Sequence, residues 1–262
     1  MAVVWITGAS SGIGEALAKQ YINQGAQLVL SARRVDELER VKQSCIVQGG
    51  KPENILVLPL DLLEPDTMPE KVSQVLNEFK TIDVLINNAG ISQRSLCLDT
   101  SLSTYKTLLD VDVFGQIALT KAVLPVMVKQ GSGHVAVTSS VAGKVGVKWR
   151  TGYCAAKHAV MGFFDALRAE VAEHGIQVST ITPGFIKTDV SKNAVTEDGD
   201  KFGVDDDDIK AGMDVDKCAR VIVKKLNAGV KEIAVGEGLS MVALWLKRLA
   251  PGLVFNMMQN KA

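Results

Sequence analysis

Tyr153 and Lys157 stand four residues apart in Gly152-Tyr153-Cys154-Ala155-Ala156-Lys157-His158. On a helix that spacing sets a phenol and an ammonium on one face. A free tyrosine titrates near ~10 and is a poor base at neutral pH. A positive charge alongside stabilises its phenolate and lets it exchange a proton with an alcohol or a carbonyl oxygen. Thr138-Ser139-Ser140 closes an apolar run of strand length and offers hydroxyls to a developing alkoxide, Ser140 being the favoured one. Each feature alone has a plain structural explanation, an amphipathic pair or a strand-end cap. Together with a nucleotide-binding turn at the N-terminus they point to chemistry.

In that turn, Val3-Val4-Trp5-Ile6-Thr7 runs into Gly8-Ala9-Ser10-Ser11-Gly12-Ile13-Gly14. Gly8 permits a tight turn, Gly12 lets phosphate oxygens approach backbone N–H groups, and Gly14 lets the following helix pack on the strand with its N-terminus facing the anion. The spacing is G-x-x-x-G-x-G rather than the commoner G-x-G-x-x-G. The next strand ends in Ser31-Ala32-Arg33-Arg34, where an NAD site presents an acid to the ribose 2′-hydroxyl. A guanidinium there instead grips a 2′-phosphate and stacks on adenine. NADP(H) is therefore the expected cofactor, with Arg33 favoured over Arg34 as the contact.

These groups need elements to position them. Apolar runs of strand length recur at Val3–Thr7, Gln27–Ser31, Ile55–Leu60, Val84–Asn87, Val135–Thr138, Gln177–Thr182 and Glu232–Val235. Helical patterns lie between them at Gly14–Gln24, Val35–Gln48, Thr67–Lys80, Ser103–Lys129, Tyr153–Glu173 and Val215–Ala228. The alternation predicts right-handed βαβ units, and near-continuous strand hydrophobicity predicts burial of both sheet faces. The expected fold is a single-domain, Rossmann-type, doubly wound α/β sheet of about seven parallel strands spanning residues 1–262. The polar segment 189–212 reads as a loop or lid over the substrate, and its run Asp205–Asp208 as a solvated surface.

Composition narrows the alternatives. With 47% hydrophobic and 22% charged residues the chain can bury a large core. Lys plus Arg and Asp plus Glu both total 29, so no net field recruits nucleic acid. Cys45, Cys97, Cys154 and Cys218 show no metal-binding or disulfide spacing. No metal is expected, and the absence of a basic, apolar leader at the N-terminus predicts a cytoplasmic protein.

On Thr7 to Gly14, Asn87-Asn88-Ala89-Gly90, Ser140, Tyr153 with Lys157, and Pro183-Gly184, the chain resembles the short-chain dehydrogenase/reductase family over about residues 3–236. That resemblance implies a nicotinamide cofactor across the carboxyl edge of the sheet, Tyr153 as acid/base, Ser140 polarising the carbonyl and Lys157 also holding the nicotinamide ribose. It further implies a cofactor site with Ser10, Ser11 and Ile13 in the turn, Asp61 and Leu62 beside the adenine, Asn88, Ala89 and Gly90 lining the nucleotide, and Pro183, Gly184, Ile186 and Thr188 at the nicotinamide end. Where the family has a proton-relay asparagine, this chain has Asp112. A carboxylate there is expected to raise the pKa of Lys157 and to leave an active but pH-altered site. The stretch Leu244–Leu253 is similar to the dehydrogenase/reductase member 7B group of the family.

Ile91, Ser92, Val145, Val147 and Trp149 are the expected substrate contacts, together with Ser140, and their apolar character favours a hydrophobic ketone, aldehyde or alcohol. The C-terminal extension 239–262 is apolar and broken by Pro251. It is expected to pack over the pocket or against a second subunit, with interfacial membrane contact as the alternative. The resemblance also implies a homodimer or homotetramer. Two rivals keep the fold: a non-catalytic NADP(H) sensor or scaffold, and an epimerase or dehydratase.

Overall fold

The computed structural model describes residues 1–204 and 206–259. Asp205 and the last three residues of the 239–262 extension, with the same end of the 1–262 domain, lie outside the described residues. Seven parallel strands form one sheet: β1 (Val3–Thr7), β2 (Gln27–Ser31), β3 (Ile55–Val57), β4 (Val84–Asn87), β5 (Gly133–Thr138), β6 (Ile176–Pro183) and β7 (Glu232–Val235). Their order is β3-β2-β1-β4-β5-β6-β7, so the winding reverses beside β1. A crevice opens at that reversal, outside the carboxyl ends of β1 and β4.

The alternation of side chains along β1 explains the two layers of helix. Val4 and Ile6 face one core, which is shared with Leu17 of α1 (Gly12–Ile22), Leu38 and Val41 of α2 (Val35–Val47) and, from farther along the chain, Ile222. Val3 and Trp5 face the other, built from Val75 of α3 (Met68–Phe79), α4 (Leu102–Leu109) joined to α5 (Gly115–Gln130), and Phe164 of α6 (Thr151–Glu170). Both cores exclude water almost completely, and strands buried on both faces need the uninterrupted apolar runs that made them legible. Further α-helices are α7 (Asp207–Lys210), α8 (Val215–Asn227, which carries Ile222), α9 (Leu239–Leu249) and α10 (Pro251–Gln259).

Four features depart from the sequence reading. β3 stops at Val57, although the N–H groups of Leu58 and Leu60 go on donating to Leu30 and Ala32 carbonyls at 3.0 and 3.1 Å. The predicted helix Ser103–Lys129 is divided by a five-residue π-helical turn, Asp110–Phe114, which rotates Asp112 into the protein, where it is fully buried. The 189–212 segment is irregular as expected, but Asp206 is not a solvated charge. Its carboxylate pairs with Arg94 and, at 2.9 Å, with Arg150, and its side chain is 9% exposed. In the extension, α9 and α10 break at Ala250-Pro251 and seat Ala243 and Val254 on Val145. Val145 is therefore packing for the extension rather than a substrate contact. The outer face keeps Trp245 and Leu249 72% and 79% exposed.

Candidate active site

The carboxyl ends of the central strands converge on a cleft of about 570 Å³. Gly8, Ser10, Ser11, Gly12 and Ile13 line it from the turn after β1, Arg33 and Arg34 from the end of β2, and Asp61 and Leu62 from the loop after β3. Asn88, Ala89, Gly90, Ile91 and Ser92 follow from β4, Ser140 from β5, Val147, Tyr153 and Lys157 from the approach and first turns of α6, and Pro183, Gly184, Ile186 and Thr188 from β6. Residues far apart in sequence thus share one cavity.

The nucleotide end is shaped by backbone proximity. Gly8 has φ +65°, and a Cβ on it would lie 2.8 Å from the Ala89 Cα. A Cβ on Gly14 would lie 2.2 Å from the Gly8 carbonyl oxygen, so Gly14 acts through packing and does not itself line the cleft. Ser11 is the N-cap residue of α1 yet makes no side-chain cap. The first-turn N–H groups are consequently available to an anion from the cleft side. Thr7 ties this turn to the next strand: its hydroxyl oxygen accepts the N–H groups of Asn88 and Ala89, each at 3.0 Å. Arg34 donates to the hydroxyls of Ser10 and Ser11 at 3.2 and 3.4 Å, whereas Arg33 is exposed at the cleft wall without an ion pair to another described residue.

At the other end, Ser140 Oγ accepts the Ala142 N–H at 3.1 Å, which leaves its own proton free to donate into the cleft. Lys157 Nζ donates to the Thr138 carbonyl at 3.1 Å and lies 5.6 Å from the centre of the Tyr153 ring. The π-helical turn brings Asp112 Oδ2 to 3.3 Å from Nζ, while Oδ1 accepts the Ile91 N–H at 2.7 Å. The Oδ2 contact is ionic rather than an aligned hydrogen bond. Gly90 makes room for the pair, since a Cβ there would approach Asp112 Oδ1 to 2.9 Å and Nζ to 3.1 Å.

Burial acts first on both partners, pushing the Asp112 carboxyl up and pulling the Lys157 ammonium down. For Asp112, Lys157 and the Ile91 N–H offset burial only in part. For Lys157, the facing carboxylate and Tyr153 outweigh it and hold the ammonium above its ordinary range. The 2.7 Å hydrogen bond into the same carboxyl favours the charged form, so we read an ion pair.

Trp149 does not line the cleft. It has φ +65°, is 38% exposed, and lies under the cations of Arg94 and Lys148, outside the cleft wall where the sequence reading expects it. Conversely, the sequence reading gives no site role to Thr7, Arg150 or Gln93. Arg150 and the lid residues Val190 and Val195 line the substrate side. Gln93 is completely buried and binds the backbone at the start of α6. The only signal for it was its place three residues after the Asn-Asn-Ala-Gly segment.

A model of the short chain dehydrogenase family matches residues 2–199. The chain is 43% identical over 261 residues to dehydrogenase/reductase SDR family protein 7-like of Drosophila melanogaster, covering 99% of this chain and 80% of that protein. It is 41% identical over 267 residues to dehydrogenase/reductase SDR family member 7B of Bos taurus, covering 100% and 81%. Among solved structures, a short-chain dehydrogenase from Streptomyces avermitilis superposes with a TM-score of 0.83 at 28% identity, over 97% of this chain and 96% of that one.

Proposed function

The chain belongs to the short-chain dehydrogenase/reductase family, and from that premise we propose that it is an NADP(H)-dependent oxidoreductase interconverting a hydrophobic ketone or aldehyde with an alcohol. The observation that carries this reading is the meeting of Ser140, Tyr153 and Lys157 in the same cleft as the glycine turn. The turn suits a dinucleotide, because its glycines bring the backbone close together and the α1 N-terminus stays uncapped by a side chain. The basic pair Arg33-Arg34 at the cleft wall supports a 2′-phosphate.

When bound, the nicotinamide supplies or takes up a hydride. The chain's own part is to hold the oxygen and move its proton. In the reducing direction the Tyr153 phenol donates a proton to the carbonyl oxygen while the Ser140 hydroxyl donates a hydrogen bond to it. The Lys157 ammonium stabilises the negative charge left on the phenol oxygen, and Asp112 with the Thr138 carbonyl keeps that ammonium in place. Ile91, Val147, Val190 and Val195 offer an apolar wall to the substrate. We further propose a homo-oligomer in the cytoplasm.

The test is NADPH oxidation with a panel of hydrophobic ketones and aldehydes, run beside NADH. Turnover with a clear preference for NADPH is expected. Nucleotide binding without consumption across the panel would instead favour the sensor, and redox-neutral conversion of a substrate an epimerase or dehydratase.

A further inference from the structure

We propose that Gln93 is a positioning residue that couples closure of the 189–212 lid to the placement of Tyr153, an inference that rests on the catalytic reading of that tyrosine. Tyr153 sits in the first turn of α6, where backbone N–H groups have no partner within the helix, and Arg150 at the N-cap supplies no side-chain cap. Gln93 does so from outside: its Oε1 accepts the Gly152 N–H at 2.7 Å and the Tyr153 N–H at 3.3 Å. Its Nε2 donates to the hydroxyl oxygens of Ser95 and Thr100 at 3.0 and 3.2 Å. Exchanging the amide's oxygen and nitrogen would set an NH₂ group against two N–H donors, so the hydrogen bonds fix its orientation.

The backbone around Gln93 is held by the lid. The Val195 N–H donates to the Ser92 carbonyl at 2.8 Å, and the Val195 carbonyl accepts the Arg94 N–H at 2.8 Å, closing a one-residue parallel bridge on Gln93. A second fastening lies alongside. Asp206 of the lid pairs with Arg94, next to Gln93, and with Arg150, at the start of α6. The lid therefore grips both pieces that Gln93 joins. When it opens, residues 92–94 lose their bridge and the first turn of α6 loses a fixed acceptor. When it closes over substrate, the same bonds set the height of the Tyr153 backbone, so the phenol reaches its working position only with the lid shut.

Amide hydrogen exchange on the full-length chain with NADPH, read over the peptide holding Gly152 and Tyr153, tests this together with kcat. Gln93→Met keeps the length of the side chain and removes the acceptor. Exchange there should quicken about tenfold, the scale of one lost hydrogen bond, and kcat should fall about tenfold with KM nearly unchanged. Gln93→Glu restores an acceptor and should bring both readouts back toward wild type. Asp206→Asn should quicken the same exchange in the wild-type background and add little in Gln93→Met. An Asp206→Asn effect of equal size in both backgrounds, or exchange indifferent to Gln93→Met, would overturn the proposal. Exchange requires no turnover, so a chain that reduces no carbonyl would sink the proposed function and leave this coupling to be decided on its own readout.

Discussion

Replacing Asp112 by asparagine removes one charge from a buried pair and little else, because an amide oxygen can still accept the Ile91 N–H. At the 3.3 Å separation of the pair, Coulomb's law with an effective dielectric of ~20 gives about 5 kcal/mol of attraction. The amide dipole and entering water recover part of it, and the Lys157 pKa falls by the remainder. The sign follows from the balance at Lys157: burial pulls its ammonium down and the carboxylate pushes it up, so taking the carboxylate away leaves burial dominant. The assay is the pH dependence of kcat/KM for NADPH-driven reduction from about pH 6 to 10, with thermal unfolding as a check that the variant is folded. Activity at neutral pH should persist while the alkaline limb moves to lower pH by about one unit or more. An alkaline limb that stays where it is would refute the ion-pair account of the Lys157 charge.

Three further outcomes follow from the geometry. Arg33→Glu should raise the KM for NADPH by about tenfold or more while leaving that for NADH much less affected, since only the former loses a charged hydrogen bond; parallel changes for the two nucleotides would remove Arg33 from the 2′-phosphate. Gly14→Ala sets a Cβ 2.2 Å from the Gly8 carbonyl oxygen and should cost about 1–3 kcal/mol of stability together with NADPH affinity, read by thermal unfolding and nucleotide fluorescence; an unchanged affinity would contradict the packing role of that glycine. His134 is partly buried beside Ser179, and desolvation there lowers its pKa from 6.5 to about 4. It is then neutral when folded and more readily protonated when unfolded, so its share of stability, about 3 kcal/mol at full shift, is present above pH 6.5 and lost as pH falls toward 4. Urea unfolding across that window should show the decline, and His134→Gln should flatten it.

Much of the site was legible because its parts are local. The Tyr153 and Lys157 spacing lies within one helix, and the glycine turn carries its strand and helix on either side. Strands such as Val3–Thr7 announced themselves by burying both faces. What escaped depends on contacts between distant segments or on a break in periodicity. A 3.6-residue pattern continues through Asp110–Phe114 and gives no sign that the backbone there takes a π-helical turn, although that turn is what delivers Asp112 to Lys157. Asp206 looked solvated within its acidic run because its arginine partners lie at positions 94 and 150. Trp149 reads as a substrate contact by its apolar character, yet a left-handed backbone at that residue accompanies a ring that does not line the cleft. A glutamine such as Gln93 reads as polar loop in any sequence; only the fold reveals that the N–H groups of α6 await it.

The central claim is that the Tyr153 phenol moves the proton, and Tyr153→Phe tests it with little change of shape. With a carbonyl that the wild type reduces, kcat should fall by about 10²–10⁴-fold while NADPH binding, followed by nucleotide fluorescence, stays close to wild type. Turnover by the phenylalanine variant at the wild-type rate would contradict the account, because the proton would then have to come from elsewhere in the cleft.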